Sequence, residues 1–218
     1  MSEAREAILG ALRRAVPGEE SVPVLDFSVI ANKRWEPAER AARLRRSMEG
    51  VQAEFLEATE DNWAQVVVDC VVREGFANLL YGPGTPEGRA LAALWPAQGP
   101  ELLPYDQPVE TFKKKLFTTV VAGFTTTLGG IAETGGMFLA PGPQEPRLLS
   151  LVPPVHIALL RAGRIFDTLS QGIRELGWTR SLPPNALIIS GPSKTADIEQ
   201  TLAYGVHGPK RLLVVLVT

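Results

Sequence analysis

Arg211-Leu212-Leu213-Val214-Val215-Leu216-Val217 is apolar at every position after the arginine. A strand with one wet face alternates apolar and polar residues, whereas a strand buried on both faces reads as a continuous apolar run. The stretch predicts a strand of a parallel sheet covered on both sides. Residues 156–160 (His-Ile-Ala-Leu-Leu) and 186–189 (Ala-Leu-Ile-Ile) read as further sheet.

Helical patterns lie between such runs. Residues 4–15 place Ile8, Leu9 and Leu12 on one face ahead of Pro17-Gly18, and residues 22–33 show little periodicity. Pro37 opens the longest helix, because proline fits a first turn. Ala41, Leu44, Met48, Val51 and Phe55 then step by three and four, carrying it to about Thr59. Residues 62–74 predict another helix ended by Gly75, then a strand at 77–81, the turn Gly82-Pro83-Gly84 and a helix at 87–95. Strands are expected at 102–103, 117–122 and 148–152, and helices at 163–176 and 196–204. The alternation predicts an α/β fold: an open mixed, largely parallel sheet with helices on both faces. Residues 1–60 would form an N-terminal helical segment packed on an α/β domain of residues 61–218. The antiparallel look of residues 137–152 is what makes the sheet mixed.

Gly129-Gly130-Ile131-Ala132-Glu133-Thr134-Gly135-Gly136-Met137-Phe138-Leu139-Ala140-Pro141 sets one carboxylate and one hydroxyl between two glycine pairs inside an apolar segment. Glycine allows a turn and a close approach of backbone or ligand. Two readings stand: a hairpin whose Glu133 faces water, or a site where Glu133 meets something polar. Further on, Ser190-Gly191-Pro192-Ser193-Lys194-Thr195 follows an apolar run and precedes the helical pattern at 196–204. Strand, turn and helix in that order aim free N–H groups and a positive helix end at an anion. An ordinary capped helix start is the alternative, and the spacing is not that of a Walker loop.

The chain has 218 residues, 45% hydrophobic and 21% charged, with a net charge of −2. That balance suits a globular protein and argues against a dedicated nucleic-acid binder. No run approaches the ~18 apolar residues of a membrane span, and the acidic start lacks signal-peptide order, so a cytoplasmic location is expected. Cys70 is the one cysteine, in the apolar run Val66-Val67-Val68-Asp69-Cys70-Val71-Val72, and reads as an inert buried thiol. One cysteine cannot ligate an iron–sulfur cluster, and His156 and His207 lack metal-ligand spacing, so no metal is expected on this chain. No Gly-x-Gly-x-x-Gly follows a strand, so no flavin or nicotinamide cofactor is expected either.

Three segments in order carry a resemblance: Thr127 to Gly135, then Leu148-Leu149-Ser150-Leu151-Val152-Pro153-Pro154-Val155-His156-Ile157-Ala158, then Ser190 to Glu199 with Gly205-Val206-His207-Gly208-Pro209. Together they resemble the lactate-utilization (LUD) domain family, and within it the C-type lactate-utilization proteins, most closely from about Thr118 onward. The resemblance implies an open α/β fold similar to sugar-phosphate isomerases, CoA transferases and formyltetrahydrofolate cyclo-ligases. It implies an accessory role in oxidising L-lactate to pyruvate, with iron–sulfur clusters on partner chains. The alternative is an independent enzyme acting on a phosphate- or carboxylate-bearing substrate, with Glu133 as acid/base or nucleophile.

Ligands of open α/β sheets favour the carboxyl ends of strands. The candidate site therefore joins Glu133, Thr134, Gly135 and Gly136 with Gly191, Ser193, Lys194 and Thr195 in one crevice for a small anionic ligand. His156 is either a hydrogen-bond donor into that crevice or a core histidine bonded to backbone. His207 reads as a turn residue. Arg40, Arg43, Arg45 and Arg46 form a solvated basic face or a docking surface for an acidic partner.

Overall fold

The computed structural model describes residues 3–15, 28, 33–196, 202–204 and 208–218. It divides into Met1–Asn32 and Lys33–Thr218. Within the first unit α1 (Glu3–Ala15) is an amphipathic helix, as its period predicts.

The second unit is built on a six-stranded sheet. Its strands are β1 (Ala53–Ala58), β2 (Asn78–Tyr81), β3 (Glu101–Pro104), β4 (Ala122–Thr126), β7 (Val155–Arg161) and β12 (Arg211–Val217), in the order β1-β12-β7-β4-β2-β3. Every pairing in it is parallel. The apolar run that opened the sequence reading is thus held between β1 and β7, with Leu212 to Val217 all buried.

Antiparallel pairing is confined to other sheets. The hairpin β5 (Gly129–Ile131) and β6 (Gly136–Leu139) joins β8 (Ile165–Phe166) and β9 (Leu187–Ile189) in the order β8-β5-β6-β9. A two-stranded ribbon pairs β10 (Lys194–Ala196) with β11 (Leu202–Tyr204).

Both faces of the main sheet are covered. On one, α3 (Trp63–Arg73) and α4 (Pro86–Leu94) bring Val67, Val71 and Leu91 onto Leu79, Phe124, Ile157, Leu213 and Val215. Trp63 stacks on Phe124 with ring centroids 5.9 Å apart. On the other face, Leu44 and Met48 of α2 (Pro37–Glu49) join Met137 and Leu139 of β6 against Ala158, Leu160, Leu212 and Val214. The small sheet therefore forms a third layer, and α7 (Leu169–Glu175) packs Ile173 near Phe138 and Phe166 on its far side. Beside it, α5 (Val109–Thr118) and the single turn α6 (Leu148–Leu151) bury Phe112, Leu116 and Leu149 against Leu80 and Leu103.

Several elements differ from the sequence reading. The helix from Pro37 stops at Glu49, where Gly50 caps it and Gln52 turns the chain at φ 70°. Residues 53–58 are β1, so they belong to the α/β body and not to a helical segment. Phe55 still faces the core of Leu44 and Met48, but from a strand, so the three-four stepping continued across a boundary it does not encode. Residues 117–118 end α5 rather than begin a strand, because Phe112 and Leu116, four apart, bury while Phe117 is exposed. Residues 148–151 are helical, an ambiguity inherent in a short apolar run. The expected helix at 163–176 is broken into a 3-10 turn, β8 and α7, with Thr168 capping α7 by accepting from Gln171 N at 3.1 Å. The helix expected at 196–204 is not formed at its described ends, which are β10 and β11; residues 197–201 lie outside the described residues, as does His207.

Candidate functional site

His156 is the second residue of β7, in register with Gly123 of β4 and Leu212 of β12. A side chain at Gly123 would run into the Leu149 carbonyl, so glycine lets α6 descend onto β4. Thr125 lies two residues along on the same face, and its Oγ1 is 2.8 Å from His156 Nε2. Both residues are buried. Burial alone pushes the imidazole down to about 3, so it is neutral at physiological pH.

A neutral imidazole has one N–H and one lone pair, and the contact with Thr125 is a hydrogen bond in either tautomer: the hydroxyl donates to a bare Nε2 or accepts from Nε2–H. The ring's Nδ1 is buried and has no partner among the described residues.

His156 lines a cavity of about 230 Å³ between the two sheets. Ser150 and Leu151 of α6 form one side, and Ile188 to Gly191 at the end of β9 form another. Ser193, Gly208, Pro209 and Leu212 close it. Ser193 is held by its backbone N–H donating to Pro209 O at 2.8 Å. Ser150 Oγ donates to Arg147 O at 3.1 Å and keeps its lone pairs. The cavity lies at the amino end of β7 and β12, not at the carboxyl end that the crevice rule suggests for a single sheet. The stacked small sheet accounts for this, since β9 ends over the start of those strands.

The carboxyl end of β4 holds a group that sequence reading missed. Glu145 accepts from Thr126 N at 3.1 Å and from Thr126 Oγ1 at 2.7 Å. Burial raises its carboxyl above the ordinary range, against those hydrogen bonds. It borders a void of about 30 Å³ that Thr125 and Ser150 also line, room for about one water. Nothing in Pro141-Gly142-Pro143-Gln144-Glu145-Pro146 marks this acid, because a proline loop has no period from which burial could be read. Thr125 was equally hidden inside Gly123-Phe124-Thr125-Thr126.

The glycine hairpin is assembled differently from the crevice that the sequence suggested. Glu133 pairs with Lys33, and its backbone N–H donates to Asp167 O at 3.0 Å. The buried Asp167 accepts from Trp35 N at 2.9 Å and has Arg40 Nε at 3.7 Å, while Arg40 donates to Ile165 O at 2.8 Å. These contacts tie the segment before α2, and α2 itself, to the small sheet. The room cleared by the glycines is filled by α2: a side chain at Gly130 would meet Leu44, and one at Gly135 would come to 2.5 Å of Ser47 Cβ. Gly135 also turns at φ 69°.

The sequence candidates therefore separate into groups. His156, Gly191 and Ser193 share the cavity. Gly136 lies behind its wall, 3.3 Å from Ile188 Cγ2 by its absent side chain. Glu133 and Gly135 sit with α2 and Lys33, and Thr134 is exposed beside them. Lys194 and Thr195 are on the strand β10 and not at the start of any described helix. Arg43 and Arg45 of the basic helix pair with Glu39, and with Glu49 and Glu57, respectively. Burial raises the Cys70 thiol, which suits packing more than nucleophilic attack. Among the described residues no three His, Cys, Asp or Glu side chains converge on a metal position, and no helix is long and apolar enough to cross a membrane.

Comparison with known proteins places this architecture. The chain is 36% identical over 218 residues to an uncharacterized protein of Neisseria meningitidis, covering 98% of this chain and 93% of that one. It is 31% identical over 128 residues to lactate utilization protein C of Deinococcus radiodurans, spanning 58% of this chain and 59% of that protein. Against lactate utilization protein C of Bacillus subtilis it is 32% identical over 130 residues, 57% and 53% of the two chains. A crystal structure of a DUF162 family protein from Deinococcus radiodurans superposes with a TM-score of 0.64 at 20% identity, covering 85% of this chain and all of that one, a likeness of fold. The LUD domain model matches residues 41–217, from within α2 to the last residue of β12. The chain belongs to the LUD domain family.

Proposed function

We propose that this chain is an accessory component of an L-lactate utilization system, in which iron–sulfur centres on partner chains carry the electrons while L-lactate is oxidised to pyruvate. The observation that carries the reading is the similarity, over more than half of the chain, to relatives named lactate utilization protein C. The site chemistry supports it. His156 is neutral and its neighbours are hydroxyls, a set that holds and orients a small molecule but moves no electrons. A cluster needs several thiolates, and this chain has one cysteine, buried in α3.

Growth tests the proposal. A strain of the source organism lacking this gene should fail on L-lactate as sole carbon source, grow normally on pyruvate, and recover when the gene is supplied in trans. Undiminished growth of the deletion strain on L-lactate, with no second copy of the gene in the genome, would reject it.

A further inference from the structure

We propose that the groove between the end of α5 and the start of β7 is the docking surface for an acidic segment of a partner protein, which seats an apolar side chain beside Phe117. The proposal deepens the lactate-utilization reading and rests on it for the presence of a partner chain; the surface itself rests on geometry.

The groove measures about 620 Å³ and lies where the chain enters β4 and β7. Leu116 and Val120 are buried along it, and Leu151, Val152 and Pro154 add apolar surface from the α6–β7 connection. Phe117 borders it and is 59% exposed. A lone exposed ring is ordinary, but one beside an apolar groove is the kind of anchor that interfaces bury. The backbone there is already fixed. Thr119 N and Val120 N both donate to Lys115 O, at 2.9 and 3.2 Å. Asn78 donates to Thr119 O at 3.0 Å and accepts from Val121 N at 2.8 Å. A partner therefore meets a surface that needs little ordering. Charge sets the kind of partner. Lys113 and Lys114 stand one turn before Phe117 and Thr118 on α5. Lys210 lies across the groove, its backbone N–H donating to Pro154 O at 2.7 Å. All three lysines are exposed and make no ion pair among the described residues, whereas Lys115 is taken by Glu101. A chain of net charge −2 thus gathers unpaired cations around an apolar groove. Acidic side chains match that rim and an apolar one fills the groove, while the overall charge disfavours nucleic acid and a flat bilayer would leave the groove empty. Leu151 and Gly208 also line the cavity of His156, so a docked partner would border it.

Site-specific photo-crosslinking tests it on the full chain, in cells of the source organism supplied with L-lactate. The photoreactive residue p-benzoylphenylalanine replaces Phe117 and, in a control chain, Leu182, an exposed apolar residue that does not line the groove. Light should join position 117, and not position 182, to one partner protein. Mass spectrometry of the joined peptide should find more Asp and Glu than Lys and Arg around an apolar residue. Lys113→Glu/Lys114→Glu, shown by circular dichroism to be folded, should cut the yield about tenfold. Arg174→Glu/Arg180→Glu, the same change of charge on exposed residues outside the groove, should leave it unchanged. In cell extract, raising salt from about 50 to about 500 mM should lower the yield of the chain with native lysines, an arm that decides even if the lysine variant does not fold. An adduct of this chain with itself, with lipid or with nucleic acid would overturn the proposal. So would no adduct beyond that at position 182, a joined peptide without acidic excess, a yield that salt or the folded lysine variant leaves unchanged, or equal loss in both charge variants. An adduct with unimpaired growth of the deletion strain on L-lactate would keep the surface and reject the functional reading; loss of growth without an adduct would do the reverse.

Discussion

Thr125→Val is the substitution whose cost follows most directly from the geometry. It keeps the shape of the side chain, replaces Oγ1 with a methyl, and removes the 2.8 Å bond to His156 Nε2 between β4 and β7. Thr125 is 3% exposed and His156 1%, so bulk solvent does not reach the place of the lost hydroxyl. A buried ring nitrogen left unsatisfied, as donor or acceptor, costs about 1–3 kcal/mol. The new methyl gives back at most about 0.8 kcal/mol. The net loss should lie between about 0.2 and 3 kcal/mol, up to about 12 °C in Tm for a domain of this size. Urea unfolding at pH 7.5 measures it, provided the m-value stays constant. The double variant Thr125→Val/His156→Phe removes both partners and should be no less stable than Thr125→Val alone, a coupling of about 1–2 kcal/mol. A single variant at least as stable as wild type, or costs that simply add, would show that the pair is not the buried hydrogen bond described.

Other outcomes follow from the same structure. His156 has its folded-state pKa depressed to about 3 from 6.5, so the unfolded chain binds a proton that the folded one refuses. Its stabilising contribution is complete above about pH 6.5 and is lost as pH falls toward 3, with a slope of up to about 1.4 kcal/mol per pH unit; urea midpoints across that window should fall more steeply for wild type than for His156→Phe. Gly135→Ala combines a left-handed φ of 69° with Ser47 at 2.5 Å and should cost about 2–4 kcal/mol by thermal unfolding, while Gly142→Ala, with nothing within 4 Å, should be near neutral. Glu133→Gln breaks an ion pair whose Lys33 partner is 40% exposed, so it should cost less than about 1 kcal/mol and leave growth on L-lactate intact; loss of growth by a stable variant would return Glu133 to the site.

How much could be read from sequence depended on whether a residue's surroundings are local. The apolar runs at β7 and β12 announced a doubly covered parallel sheet, because a strand buried on both faces has no polar positions to hide. The hairpin around Glu133 was legible from its glycines, but their purpose was not. The partners that need the space, Leu44 and Ser47, lie on a helix ~85 residues earlier, and close packing looks in sequence like clearance for a ligand. Likewise Ser190 to Thr195 read as the start of a helix from Gly, Ser and Thr alone, whereas pairing of β10 with β11 overrode that local preference. His156, Gly191 and Ser193 line one cavity, whereas Thr125 and Glu145 were not singled out in the sequence. A hydroxyl inside a strand and an acid inside a proline loop carry no periodic signal, and only the tertiary structure shows what they touch.

The proposed role is tested most directly by L-lactate-dependent dye reduction in soluble extracts of lactate-grown cells. Extract from the deletion strain should lose the activity, the purified chain alone should have none, and adding the purified chain to the deletion extract should restore it. Reduction of the dye by the purified chain and L-lactate alone, or full activity in the deletion extract, would contradict the account.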